Sequence, residues 1–492
     1  MSEALDRARE YELLHEREIA PEERPAFHLS PRVGWMNDPN GFSYYKGQYH
    51  MFYQYYPYDS HWGPMHWGHA VSTDLLRWEY LPAALAPDTD CDGGGVFSGS
   101  AVTLPDGRQM LMYTGVAGTK REIESGRAIQ TQCLAFGDGR DYEKYAGNPV
   151  IDASCLPEGG SPYDFRDPKM WRAPDGSWRM AAADDFPGEG GRILLFRSDD
   201  ALRWTYAGVL AENSNRIGRM WECPDFFPLD GTHVLLASAQ DMLPRGFEYH
   251  NGNGTFYMLG DFDPAAERFT PSCDYAADYG IDFYAPQTVL TPDGRRVMIG
   301  WMQNWDTCNL HTRTRPWFGQ MSLPRELSVK NGRLCQAPLR ELEQLRAGAG
   351  VHERLAIENG EISLPGLTGR KADISLEIEP DGELYHKFSL FFAKNSDYHT
   401  GLSFRPREST LKIDRKFSGS RRAIIHQRRA LVRHDAGALR LRVILDRFSA
   451  EIFVGNGEQV LSATIDTPPE AEGISFRADG RVKLKVDGWT LA

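Results

Sequence analysis

Five short turn signals recur along the first three hundred residues: Lys46-Gly47, Asp106-Gly107, Asp175-Gly176, Asp230-Gly231 and Asp293-Gly294. Asp-Gly between apolar runs is a two-residue hairpin signal, because both central positions take positive φ. An apolar, strand-like run follows each: QYHMFYQYY, RQMLMYTGV, SWRMAAADD, THVLLASAQ and RRVMIGWMQ. The five glycines are separated by 60, 69, 55 and 63 residues. A second repeat falls in phase, since STDLLRW at 72–78 matches SDDALRW at 198–204, an offset of 126 or two units of 63. Units of this kind cannot bury their faces alone, and radial repetition of four-stranded sheets is the usual solution. The chain is therefore expected to be all-β, with a five-bladed β-propeller.

Nine residues before the first four glycines stand Asp38, Ser98, Asp167 and Glu222; the fifth unit has Asp282 and Tyr284, twelve and ten residues before its glycine. If the first strand of each blade is innermost, these positions converge at one mouth of the central channel. Chance hairpins of a sandwich are the alternative, and four equal offsets weigh against it.

The flanking segments complete the plan. Residues 1–26 read as a charged helical segment without the apolar core of a secretion signal. The propeller is expected over 27–337. PLRELEQLRAGAG at 338–350 reads as a short helix ending in a Gly-rich linker. Residues 351–492 alternate apolar and polar and read as a second all-β domain, a C-terminal β-sandwich. The basic stretch from Arg405 to Arg433 is expected to be a solvated hairpin or subunit contact.

Composition removes several function classes. No run of about 18 apolar residues is present, so no membrane span is expected. The formal net charge of −13 disfavours a nucleic-acid partner. The seven cysteines are scattered and odd in number, with no C-x-x-C, which argues against a disulfide framework or zinc ribbon and for a reducing, cytoplasmic setting. The acidic run Asp88–Gly93 fits half of a calcium loop, but Gly99 stands where the bidentate Glu belongs. His61, His66 and His69 lie among Trp and Gly without a metal-binding helix. No metal is expected.

Asp38, Asp167 and Glu222 are therefore the candidates for chemistry. Like charges crowded in one pocket push their pKa values apart, leaving one acid protonated and another ionised. Glycoside hydrolysis needs that division: one carboxylate attacks or activates water, and one carboxylic acid protonates the leaving oxygen. Arg166 would hold Asp167 ionised. Trp35, Trp62, Phe97, Trp221 and Trp301 are candidates for an apolar sugar-binding wall.

These residues lie in WMNDPNG, FSGSA, FRDP, WEC, DFYAPQ and GWM, in that order. The set resembles glycoside hydrolase family 32, which contains invertases, sucrose-6-phosphate hydrolases, inulinases and levanases. The resemblance extends through MSLPREL and DRFSAEIFV, and RPAFHLSP resembles the intracellular bacterial members. It implies a propeller joined to a β-sandwich and retaining hydrolysis through a covalent fructosyl-enzyme, with no cofactor. It implies Asp38 as nucleophile, Glu222 as general acid/base and Asp167 as transition-state stabiliser. By the same resemblance Asn37, Gln54, Trp62, Phe97, Ser98, Arg166, Tyr284 and Trp301 line the fructose pocket. The implied substrate is a small sucrose-like or fructo-oligosaccharide molecule. Fructosyl transfer, a need for sucrose 6-phosphate, or non-catalytic sugar binding are the alternatives, and a homo-oligomer is left open. His311, Arg313 and Arg315 are expected at the rim of the leaving-group subsite.

Overall fold

The computed structural model describes residues 2–308, 315–419 and 425–492. The chain begins with a helix, α1 (Glu3–His15), capped by Ser2, whose Oγ accepts the Leu5 N–H at 3.2 Å. Leu5, Ala8 and Glu12 form its buried stripe at helical spacing, and Glu12 accepts the Ala83 N–H on the first sheet.

Four-stranded antiparallel sheets follow. The first holds Gly34–Tyr45, Gln48–Tyr56, His66–Ser72 and Glu79–Leu85, with Trp317–Phe318 added parallel to its first strand. The second starts at Gly95–Thr103, the third at Arg166–Arg172, the fourth at Trp221–Leu229 and the fifth at Tyr284–Leu290. Each first strand lies against the first strand of the next sheet, and that of the fifth lies against that of the first. The runs that follow the turns are buried almost without interruption, as expected for strands covered on both faces.

The turns are of two kinds. Lys46-Gly47 and Asp230-Gly231 have positive φ at both residues (48° and 86°, 49° and 85°), as a two-residue hairpin requires. The other three read Pro-Asp-Gly, and only the glycine has positive φ. In each, the glycine N–H closes a turn onto the residue before the proline (Leu104, Ala173, Thr291). They are three-residue loops, with Pro pre-setting the turn and Gly in the left-handed position. The phased 72–78 and 198–204 repeats are one structure used twice. Ser72 and Ser198 cap the turn, Asp74 and Asp200 accept the next N–H groups, and Leu75 and Ala201 both take φ near 60°.

Two six-stranded sheets form the C-terminal sandwich. The expected linker helix at 338–350 is shorter than the sequence suggests. A single 3-10 segment spans Arg340–Leu345, and Arg346–Glu358 is already a strand of the sandwich, paired with Arg481–Leu491. Gly348 and Gly350, at φ 72° and 71°, sit where that pairing skips residues, so these glycines form a bulge instead of a linker. The basic stretch is also not simply solvated. Arg415 is buried and pairs with Asp282, just before the first strand of the fifth sheet, at 2.5 Å, joining the two halves of the molecule. Asp282 is thereby committed to this contact and does not reach the mouth. The calcium-like turn is held by Lys144, whose Nζ donates to Asp88 and Asp92 at 2.5 and 2.6 Å.

A second buried contact joins three parts of the chain. His28 donates to Asp446 Oδ2 at 2.8 Å and Glu451 Oε1 at 3.0 Å, while Arg325 pairs with Glu451 and Asp278. Burial alone would lower the His28 pKa, but the hydrogen bonds and charges of Asp446 and Glu451 outweigh it and push it up to about 9. A raised folded-state pKa stabilises fully below the unfolded value of about 6.5 and is lost as pH rises through about 9. The His28→Gln variant is therefore expected to be less stable than wild type at pH 6.5. The gap in denaturation midpoint should shrink by pH 10, and a gap independent of pH would show that His28 is not charged in the fold.

Candidate active site

The first strands of the third, fourth and fifth sheets share one irregularity. Pairing with the second strand skips between Arg166 and Lys169, between Glu222 and Asp225, and between Tyr284 and Gln287. The residue after the first of each pair, Asp167, Cys223 or Ala285, has φ of 63°, 50° or 50°, and a proline follows it. These are β-bulges, which re-aim side chains at a sheet edge. They make Arg166, Glu222 and Tyr284 counterparts, and Asp167, Cys223 and Ala285 counterparts. Asp167 and Glu222 therefore do not occupy equivalent positions, although each lies nine residues before its glycine. The third sheet's turn has three residues and the fourth sheet's has two, so equal counts land one position apart.

The three counterparts meet. Arg166 Nε donates to Glu222 Oε1 at 3.1 Å, and the Tyr284 hydroxyl donates to Glu222 Oε2 at 2.6 Å. Gln240 Nε2, from the second strand of the fourth sheet, donates to the same oxygen at 2.8 Å. Burial pushes the Tyr284 hydroxyl well above its ordinary pKa, so it remains a donor. Arg166 is itself anchored by Asp164 at 3.1 Å.

Asp38 and Asp167 share a different partner. The Cys223 thiol lies 3.5 Å from Asp38 Oδ2 and 3.5 Å from Asp167 Oδ2, and its backbone N–H donates to Asp167 Oδ2 at 2.9 Å. Burial and the flanking carboxylates keep this thiol protonated and able to donate. Ser98 Oγ donates to Asp38 Oδ2 at 2.8 Å. Asp38 Oδ1 is buried and has no hydrogen-bond partner among the described residues. Burial, then the charge of Glu222, pushes the Asp38 carboxyl up to about 6; burial likewise raises Asp167, against the opposing charge of Arg166.

A cavity of about 290 Å³ opens onto this cluster. Its lining includes Asn37, Asp38, Gln54, Trp62, Phe97, Ser98, Arg166, Asp167 and Glu222. Gln54 is fixed by donating to the Val96 carbonyl at 3.0 Å, and Asn37 Oδ1 accepts the Trp35 indole N–H at 2.8 Å. Trp62 stands at the rim, 41% exposed, with its ring edge-on to Phe97.

Several expected wall residues stand elsewhere. Tyr284 lies behind Glu222. Trp301 is fully buried and packs on Trp35 and Trp305, and it is Trp305 that reaches the cavity. Trp35 stacks on Phe318, and Trp221 packs into the core against Phe256. Arg315 is not at the rim. Its guanidinium lies 3.7 Å from the Phe448 ring centroid and 3.5 Å from Asp466, at the boundary with the sandwich. His311 and Arg313 lie outside the described residues. Gln130, Tyr163, Asp164 and Ile123 line the cavity without having been singled out by motif.

The family model "Glycosyl hydrolases family 32 N-terminal domain" matches residues 28–338, and "Glycosyl hydrolases family 32 C terminal" matches 341–490. The chain is 38% identical over 481 residues to a sucrose-6-phosphate hydrolase of Escherichia coli, covering 95% of this chain and 94% of that one. A solved GH32 beta-fructofuranosidase of Bombyx mori superposes with a TM-score of 0.85 at 36% identity, covering 99% and 98% of the two chains. A fructan 1-exohydrolase IIa of Cichorium intybus, solved in complex with 1-kestose, superposes with a TM-score of 0.81 at 25% identity, covering 96% and 98%. Two domain models thus account for nearly all of the chain, and the three carboxylates of the cavity lie in the first of them: the chain belongs to glycoside hydrolase family 32.

Proposed function

We propose that this protein, a glycoside hydrolase acting on small fructosides, is an exo-acting β-fructofuranosidase that works with retention. It removes terminal β-D-fructofuranosyl units from sucrose and short fructo-oligosaccharides. Asp38 is the nucleophile, Glu222 the general acid/base and Asp167 the transition-state stabiliser. The observation that carries this reading is Asp38 Oδ1: a buried carboxylate oxygen with no partner among the described residues, at a cavity sized for a disaccharide, beside a second carboxyl held by three donors.

In the first step Glu222 gives its proton to the glycosidic oxygen while Asp38 Oδ1 bonds to the anomeric carbon, and the bond to the leaving sugar breaks. Arg166, Gln240 and Tyr284 hold the carboxylate that remains in place through their hydrogen bonds. Ser98 and the Cys223 thiol hold the other oxygen of Asp38 and so fix the orientation of the carboxylate. In the second step Glu222 takes a proton from water, which attacks the fructosyl ester and frees Asp38. Every group this needs belongs to the chain.

The same reading has the five sheets close as a five-bladed propeller, with the first strands innermost, a helical segment before it and the sandwich after it. It also places the enzyme in the cytoplasm; among the described residues no helix is long and apolar enough to cross a membrane. Two measurements test the chemistry. Sucrose hydrolysed in methanol–water should give methyl β-D-fructofuranoside, the retained anomer; the inverted anomer would refute the covalent step. Specificity constants over sucrose, sucrose 6-phosphate, kestose and inulin should rank the unphosphorylated short substrates first. A tenfold preference for the phosphorylated sugar would replace the proposed substrate.

A further inference from the structure

The cavity has one wall that belongs to none of the sequence motifs. Between the second and third strands of the second sheet, residues 118–128 form a loop carrying a single-turn helix, α2 (Lys120–Glu124). Its side chains are exposed except for Ile123 and Ala128, and those two, with Gly126, line the cavity. The loop is held in shape. The Glu122 carboxylate accepts the Thr119 N–H at 2.7 Å and the Thr119 hydroxyl at 2.8 Å, and the Arg127 N–H donates to the Glu122 carbonyl at 2.8 Å. It is also seated on the active-site strand. Ile123 lies over Gly94, where an added Cβ would come within 2.7 Å of Ile123 Cδ1, and Gly94 leads into the strand bearing Phe97 and Ser98.

Among the described residues no hydrogen bond or ion pair joins the loop to the carboxylates. The fructosyl ring must sit against Asp38, so Ile123 and Gly126 border what extends outward from it. The exposed rings of Trp62 and Tyr163, 41% and 40% accessible, also line this cavity. We propose that the 118–128 loop is the specificity-determining wall of the leaving-group side. It admits the short leaving groups of sucrose and kestose and obstructs chains of inulin length, with Ile123 as the residue that sets the clearance. This rests on the fructosidase reading above and adds its chain-length limit.

The test compares kcat/KM for inulin with kcat/KM for sucrose. Ile123→Ala removes three carbons from a half-buried surface side chain and is expected to raise the inulin-to-sucrose ratio at least threefold. Ile123→Trp fills the same space and is expected to lower the ratio at least threefold. A variant with residues 120–126 replaced by two glycines should raise it further; if that variant does not fold, the two point variants decide. A change below threefold in either point variant, with an unaltered denaturation midpoint, overturns the wall. Loss on both substrates in equal proportion also overturns it, since that reports general damage to the site. A wild-type enzyme inert toward sucrose, kestose and inulin alike would instead refute the fructosidase reading, and the wall with it.

Discussion

The Asp38→Asn variant is expected to lose hydrolysis of sucrose by about ten-thousand-fold or more while keeping its fold, as removal of a covalent nucleophile does elsewhere. The structure explains why this substitution is clean. Oδ2 accepts from Ser98 and from the Cys223 thiol, and a side-chain amide can present its oxygen to both. Oδ1, which has no hydrogen-bond partner among the described residues, becomes the NH2 group, so no hydrogen bond is lost there. Removing one acid from a cluster of three also relieves repulsion, so the denaturation midpoint should hold or rise. The measurement is turnover of sucrose alongside a denaturation curve on the same sample. Residual turnover within tenfold of wild type, in a folded protein free of deamidation, would remove Asp38 from the nucleophile's role.

How far the sequence led is clearest in the nine-residue offset. It brought Asp38, Ser98, Asp167 and Glu222 to one place, and all four line one cavity. Its reason was incomplete. A two-residue turn and a Pro-Asp-Gly turn both end in glycine, so counting back from glycine compares different registers. The proline before Asp106, Asp175 and Asp293, absent before Lys46 and Asp230, was the available signal. A one-position slip would ordinarily send a side chain to the opposite face of the sheet. Here a bulge with a positive-φ residue intervenes, so Glu222 and Asp167 face the same pocket from neighbouring registers.

What stayed hidden is what depends on distant pairing. Gln240 is an ordinary polar residue inside an apolar run, and only the register of the fourth sheet puts it on Glu222. Trp301 and Trp305 are four residues apart and both pack on Trp35, yet only Trp305 lines the cavity, which their spacing does not reveal. The exposed 118–128 loop has the composition of a solvated turn, and only Ile123 interrupts it. Arg415 sits in a basic stretch that reads as surface, yet its partner is 133 residues away, just before the fifth sheet. The histidines of HWGPMHWGH separate for the same kind of reason: His69 is buried beside His50 and stacked on Phe52, whereas His61 is at the surface with Asp59.

Replacing Glu222 by Gln should separate its two effects on Asp38's chemistry. As the acid, Glu222 matters in proportion to the leaving group's need for a proton. General acid catalysis is worth roughly a hundred- to ten-thousand-fold. Sucrose cleavage is therefore expected to fall by about a thousandfold, and the first step on an activated aryl β-fructofuranoside by about tenfold or less. As a charge, Glu222 raises the pKa of Asp38, second only to burial, bringing it to about 6. The nucleophile works only when ionised, so in wild type kcat/KM for the aryl substrate, which needs little protonation from Glu222, should fall as pH drops through about 6. Gln keeps the size of the side chain and can still accept from Gln240 and Tyr284, but it carries no charge. The acid limb of the variant must then move to lower pH, because one of the two influences opposing ionisation of Asp38 is gone. The aryl substrate is the right probe, since its cleavage needs little protonation and leaves the acid limb to report the nucleophile. An acid limb that stays in place or moves upward would show that Glu222 does not face Asp38 as a charge, and equal losses on both substrates would show that it is not the acid.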